Sequence, residues 1–287
     1  MADTQNTIYA QAYGRNILQL AQQKYSKLYN LVYRKSGIVG KTFFQDQIGQ
    51  WSMSVKGGRN VQTPNNDPNL ARRMCTLVDY HDARMLDRGD ELRTISDPRS
   101  AYTIASASAI GRQIDDVILN ALLGTAYYGE TGSSSVTHSN VVSVTQGYIY
   151  LSTLANVKKA FDDADVEAED RVLVVSPTAL SNMLQVEQLT SADYTAVKAL
   201  VNGDINSFMG FLVVTSTRIA QITNAHVLAS SITGIAFQKY GLVLGELSMP
   251  MVRTDERTDL SYSWQIYYEL NIGAVRLEES RVVSLNA

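Results

Sequence analysis

The spacing of apolar residues along the chain changes period several times, and each change predicts an element. In "SDPRSAYTIASASAIGRQIDDVILNALLG", Ser96 to Gly124, residues Ile104, Ala107, Ile110, Ile114, Val117, Ile118, Ala121 and Leu122 recur every three or four positions, the spacing of one helix face. Asp97 suits the N-cap and Pro98 the first helical position. Gly124 is placed to end the helix in a left-handed cap. The predicted helix runs about 26 residues, roughly 39 Å, whereas globular helices average about 10–14 residues. Its first half is paved with Ala101, Ala105, Ser106, Ala107, Ser108 and Ala109, small side chains that let another element come close.

Upstream, Ile17, Leu20, Ala21, Tyr25 and Leu28 predict an amphipathic helix within residues 8–35, with a modest apolar stripe. Residues 37–76 predict a ribbon. Trp51, Met53 and Val55 alternate with polar residues, Gly57 and Gly58 mark a turn, and Val61 to Thr63 form the return. Such a ribbon has little to bury and is marginal by itself in water, so it needs a partner surface.

Beyond a Gly/Ser/Thr-rich connector at 129–147, "YIYLSTLANVKKAFDDADV" predicts a helix with Leu151, Leu154, Val157 and Phe161 on one side. "RVLVVSPTALSNML" predicts a buried strand and then a helix opened by Pro177. "FLVVTSTR" and "GIAFQKYGLVLGEL" add strands. In "LSYSWQIYYEL", Leu260, Tyr262, Trp264, Ile266, Tyr268 and Leu270 alternate with Ser261, Ser263, Gln265, Tyr267 and Glu269, a two-faced strand. "SRVVSL" closes the chain as another strand. Helices and strands mix without a regular βαβ alternation, which predicts an α+β fold.

Composition narrows the function. Hydrophobic residues make up 45% and charged residues 18% of 287, enough for a substantial core, and the net charge of −3 advertises no nucleic-acid-binding face. The only cysteine, Cys75, forbids an intrachain disulfide. The first residues lack the basic and apolar regions of a secretory signal. No apolar run approaches the roughly 18–20 residues of a membrane span, so synthesis in a cytoplasm and no membrane partner are expected.

Chemistry is scarce. Gly40, Lys41 and Thr42 match the end of a phosphate-binding loop, but Lys35 stands where its first glycine belongs; a turn is expected, with a nucleotide-binding enzyme as the remote alternative. Cys75, Asp79, His81 and Asp82 cluster in sequence, which makes a thiol paired with histidine conceivable, although a structural thiol beside charged loop residues is the expectation. The run Asp162 to Asp170 lacks the glycine and spacing of a calcium loop and reads as the solvated end of a helix. There is no G-x-S-x-G elbow. No catalytic, cofactor-binding or metal-ligating residue is expected.

Four segments carry a resemblance to the major capsid proteins of tailed bacteriophages with the HK97-type fold. They are residues 63–119, which include the A-x-G-R-Q-I-D run at Ala109 to Asp115, and residues 160–184, 202–217 and 267–285. Glu167 departs from the pattern, where proline is common. The resemblance implies an N-terminal arm (1–36), an extended β-hairpin loop and its return (37–92), a peripheral domain with a long spine helix (93–150 and 240–287) and an axial domain (151–239). It implies self-assembly into hexamers and pentamers of an icosahedral virion shell around double-stranded DNA, bound without sequence specificity, with portal and scaffolding or cement proteins as further partners. Subunit contacts are then expected at Tyr9, Tyr13 and Tyr25 in the arm and at Trp51, Met53, Val55, Arg59, Arg72 and Arg73 in the ribbon. A cellular nanocompartment shell of the same fold is the nearer alternative.

Overall fold

A computed structural model describes residues 21–87, 98–145, 147–185, 208–222, 232–247 and 250–286. A 3-10 turn at Tyr29–Leu31 precedes β1 (Tyr33–Ser36), β2 (Thr42–Ile48), β3 (Leu70–Thr76) and β4 (Val78–Leu86). The helix α1 (Pro98–Leu123) leads into β5 (Ala126–Tyr128), β6 (Ser134–Val136) and β7 (Val141–Ser143). There follow α2 (Leu151–Asp162), β8 (Arg171–Val175), α3 (Pro177–Gln185), β9 (Leu212–Thr215), β10 (Ile232–Gln238), β11 (Leu242–Glu246), β12 (Met251–Arg257), β13 (Ser263–Arg276) and β14 (Val282–Asn286).

The strands form three sheets. The first has the order β1-β11-β13-β12, with β4 on the other side of β13. The second runs β7-β14-β10-β8-β9 and the third β2-β3-β5-β6. Helices and mixed sheets without βαβ repetition make this the α+β fold that the pattern predicts.

The helix α1 is the wedge of the molecule. Ile110, Ile114, Ile118, Leu119, Leu122 and Leu123 are buried, and they share a core with Leu244, Leu270 and Ile272 of the first sheet and Val172, Val174, Ile235 and Phe237 of the second. In β8 and β10 the neighbouring residues Leu173, Val175 and Ala236 point the other way, into a second core with Leu154, Val157 and Phe161 of α2 and Ala179 and Met183 of α3. Both faces of the second sheet are thus covered, which is why "RVLVV" carries no polar alternation. A smaller core of Ile38, Phe43, Cys75, Leu77 and Val275 seats the base of the β2–β3 hairpin on the body.

Three expectations need correction. The helix within 8–35 is absent over 21–36, where an irregular segment, a 3-10 turn and β1 stand instead. Leu28 and Val32 are buried in the α1 core while β1 runs parallel along the edge of β11, so tertiary pairing overrides a weak stripe. The ribbon's ladder is Thr42–Ile48 with Leu70–Thr76, and Trp51 to Val55 and Val61 to Thr63 form no strand. Pro64, Pro68 and the Gly57–Gly58 pair interrupt that stretch, and no face of it is buried. Gly124 is not left-handed; the helix ends on a side-chain cap described below. Strands β7 and β14 join β8 and β10 in one sheet.

Candidate assembly surfaces

The hairpin of β2 and β3 projects a long, open tip. Trp51 is 69% exposed, Met53 99% and Val55 96%, a concentration of uncovered apolar side chains on one loop. Arg59 is exposed beside them, next to Asn60, whose positive φ of 55° makes the turn. The tip has little internal bonding: the Gly49 N–H donates to the Asn69 carbonyl at 2.7 Å, and Asn66 Nδ2 reaches Ser52 O and Ser54 Oγ. Among the described residues nothing in this chain covers these side chains.

The two ribbon arginines differ. Arg72 lies opposite Asp46 in the ladder and donates through Nε to its carboxylate at 2.6 Å, which holds the Asp46 carboxyl below its ordinary value. The pair is exposed to solvent. Arg73 faces inward. Its Nε donates to the Leu277 carbonyl at 2.9 Å, its guanidinium lies 5.6 Å from the Tyr128 ring centroid, and Nη2 stands 3.5 Å from Glu279. Arg73 is a strut between hairpin and body in its own chain.

The N-terminal segment is tied down at one carboxyl group. Asp115 of α1 is fully buried, with 0% exposure. It accepts hydrogen bonds from Ser26 Oγ and Gln23 Nε2, each at 2.5 Å, and from the backbone N–H groups of Lys27 and Leu28, each at 3.1 Å. One turn earlier, Gly111 makes room: a Cβ there would stand 2.8 Å from Ser26 N. Arg112 donates to Gln22 Oε1 and to the Gln23 carbonyl. Three residues of the A-x-G-R-Q-I-D run therefore hold residues 22–28 against the helix. Tyr25, at the crossing, stays 80% exposed. Lys27 continues outward and donates to the Thr215 carbonyl at 2.7 Å. Tyr9 and Tyr13 lie outside the described residues.

Buried charge joins the layers. Arg276 has no exposed surface; its Nη1 donates to the carbonyls of Leu122 and Gly124, each at 2.7 Å, and its Nε to Glu279 at 2.7 Å. These carbonyls at the end of α1 have no partner within the helix, and the guanidinium supplies the cap expected of Gly124. Asp116 holds Arg218 in a two-pronged ion pair that links α1 to the 3-10 turn Thr217–Gln221. Asp115, Arg276 and Arg218 were not singled out by sequence pattern. Only the presence of Asp115 in the quoted run was a signal.

The chemical candidates disperse. Gly40 and Lys41 lie in the connection between β1 and β2, and Thr42 opens β2, so a strand and not a helix N-terminus follows the glycine. Cys75 is buried on β3, where desolvation pushes its thiol up to about 12. His81 stands on β4, its ring 6.4 Å from that of Tyr267. Among the described residues no three His, Cys, Asp or Glu side chains are placed to share a metal, and no helix is long and apolar enough to cross a membrane.

Comparisons with known proteins agree with this geometry. A search of curated proteins returns no match. The capsid structure of the cyanophage P-SCSP1u is similar with a TM-score of 0.77 at 15% identity, over 98% of this chain and 93% of that one. A chain of Mycobacterium phage Che8 is similar with a TM-score of 0.68 at 18% identity, over 98% and 97%. The capsid of Helicobacter pylori bacteriophage KHP30 is similar with a TM-score of 0.73 at 10% identity, over 100% and 97%. These likenesses show a shared fold. The family described as phage capsid protein, Phage_capsid_2, matches residues 5–287. With nearly the whole sequence matched and the fold shared, the chain belongs to the phage capsid protein family and is a major capsid protein, a structural subunit of the virion shell.

Proposed function

We propose that copies of this chain clasp one another through the β2–β3 hairpin and the N-terminal arm, closing into hexamers and pentamers that tile an icosahedral shell around double-stranded DNA. The observation that carries this reading is the uncovered apolar tip, Trp51, Met53 and Val55, on a hairpin whose base is firmly seated. Covering such surface gains about 25 cal/mol per Å², and the tip's own chain offers it no cover among the described residues. Heterologous contacts that close make rings. Within the subunit, residues 93–150 and 240–287 serve as a peripheral domain with α1 as its spine, and 151–239 as an axial domain that borrows β7 and β14. A net charge of −3 suits a wall that should not trap phosphate. Portal and scaffolding or cement proteins complete the assembly, which is made in the host cytoplasm.

The test replaces residues 50–68 with a two-residue turn. The shortened subunit should keep its circular dichroism and unfolding transition yet sediment as a small species, with no shells in electron micrographs. Shells of normal size from the shortened chain would remove the hairpin from the assembly contacts. Long double-stranded DNA in particles from infected cells, rather than enzyme cargo, separates a virion from a nanocompartment.

A further inference from the structure

The edge of the first sheet is covered along half its length only. On one side of β13, β11 pairs with residues 272–276 and β12 with residues 263–269. The outer edge of β11 is taken by β1. The outer edge of β12 pairs with no described strand, and Met251 to Glu256 are exposed on both faces. Open edges are templates for another strand, and proteins ordinarily blunt them with charge. The charges here have a specific order. In Met251-Val252-Arg253-Thr254-Asp255-Glu256-Arg257, Arg253 and Asp255 flank Thr254 on one face of the strand.

That order selects a partner. In a two-fold antiparallel pairing of β12 with itself, residues directly opposite must share a face, so the axis falls on a residue. An axis on Thr254 sets Arg253 opposite Asp255 of the second copy, and the same again by symmetry. It also sets Val252 opposite Glu256, which brings no like charges together. An axis on Arg253 opposes two arginines. An axis on Asp255 opposes two aspartates and sets Arg253 against Arg257. Opposite charges across a ladder stabilise it and like charges destabilise it. Among the described residues neither Arg253 nor Asp255 is in an ion pair; Arg253 Nε donates to Met251 Sδ at 3.1 Å, an exposed contact that a carboxylate can replace.

We propose that β12 is an isologous contact between two copies of this chain, paired antiparallel about Thr254, so that Arg253 of each meets Asp255 of the other. The inference rests on the shell reading for its biological setting, and it adds a two-fold contact to the hairpin and arm clasps. Charge repels the registers centred on Arg253 and Asp255; the register centred on Val252 forms no ion pair and sets Pro250, which has no N–H, against Thr254. The N–H and C=O groups on the outer edge of β12, which no described strand takes, supply the ladder.

Two sets of variants test it in the full chain. Residues directly opposite in an antiparallel pair have Cα atoms about 4.5–5.5 Å apart, within the range of a disulfide. Thr254→Cys should therefore give a covalent dimer on mild oxidation. Val252→Cys should not, because the two copies of residue 252 lie four positions out of register, about 13 Å apart. Arg253→Asp alone, or Asp255→Arg alone, should lower the yield of closed particles about tenfold, and the two together should restore it. Particles that form normally with Thr254→Cys monomeric throughout would overturn the contact and leave the shell reading intact. Equal dimerisation of Val252→Cys would likewise overturn it. A specific Thr254→Cys dimer without any shells would support the contact and count against the shell.

Discussion

Arg276 Nη1 lies 2.7 Å from the carbonyl oxygen of Gly124, and in that position it ends the longest helix among the described residues. Replacing Arg276 with methionine keeps the bulk but takes the donor from the Leu122 and Gly124 carbonyls and leaves Glu279 with Arg73 alone as its cation. Leaving a buried acceptor without its donor costs about 1–3 kcal/mol. Urea unfolding of the subunit should show the midpoint falling sharply at unchanged m-value.

Asp115→Ala should act locally. It withdraws the acceptor from four donors of residues 23–28, each charge-assisted bond contributing about 1.5–3 kcal/mol. Hydrogen exchange by mass spectrometry should show a peptide covering 22–28 losing protection while peptides of β8 and β10 keep theirs. Gly111→Ala should loosen the same peptide. The gain in helix propensity is about 1 kcal/mol, and a Cβ pressed against the backbone at Ser26 costs about 1–3 kcal/mol. Equal loosening in both regions would show that the segment is not separately held.

His138 gives the fold a sensitivity to acid. It is buried with Nε2 3.2 Å from Ser284 Oγ, and desolvation, with the positive charge of Arg276 adding to it, lowers its pKa from 6.5 to about 4. The unfolded chain therefore binds this proton more readily than the folded one. The stabilisation is full above about pH 6.5 and is lost as pH falls to about 4, by up to roughly 3 kcal/mol. His138→Gln should flatten the stability profile in that window, measured by thermal unfolding from pH 7 to 4. A profile of unchanged slope would mean that another group carries it.

Cys75 should be inert in the folded subunit. Its thiol is buried and pushed up to about 12, so almost no thiolate exists at pH 8. Labelling with a chromogenic disulfide should be slow in buffer and immediate in urea. Rapid labelling of native protein would show that the hairpin base opens.

Elements whose cause is local were legible in the sequence, and elements whose cause is tertiary were not. The span Pro98–Leu123 follows from periodicity and a proline at its start, and β8 from an unbroken apolar run. By contrast, β1 exists because the edge of β11 accepts it, which no pattern in Tyr33–Ser36 announces. The tip at 51–55 alternates like a strand, but alternation makes a strand only where one face meets a surface. Arg276 reads as one more charge at the end of a strand. Its role as a helix cap depends on α1 ending beside it, more than 150 positions away in sequence.

The unladdered tip has a kinetic meaning. Fixing its backbone against a neighbour costs about 1–2 kcal/mol per residue, set against the burial of a few apolar side chains. A clasp so nearly balanced lets go easily. On the proposed reading, a wrongly seated subunit can leave before its neighbours trap it, and permanence comes only when many weak clasps close together.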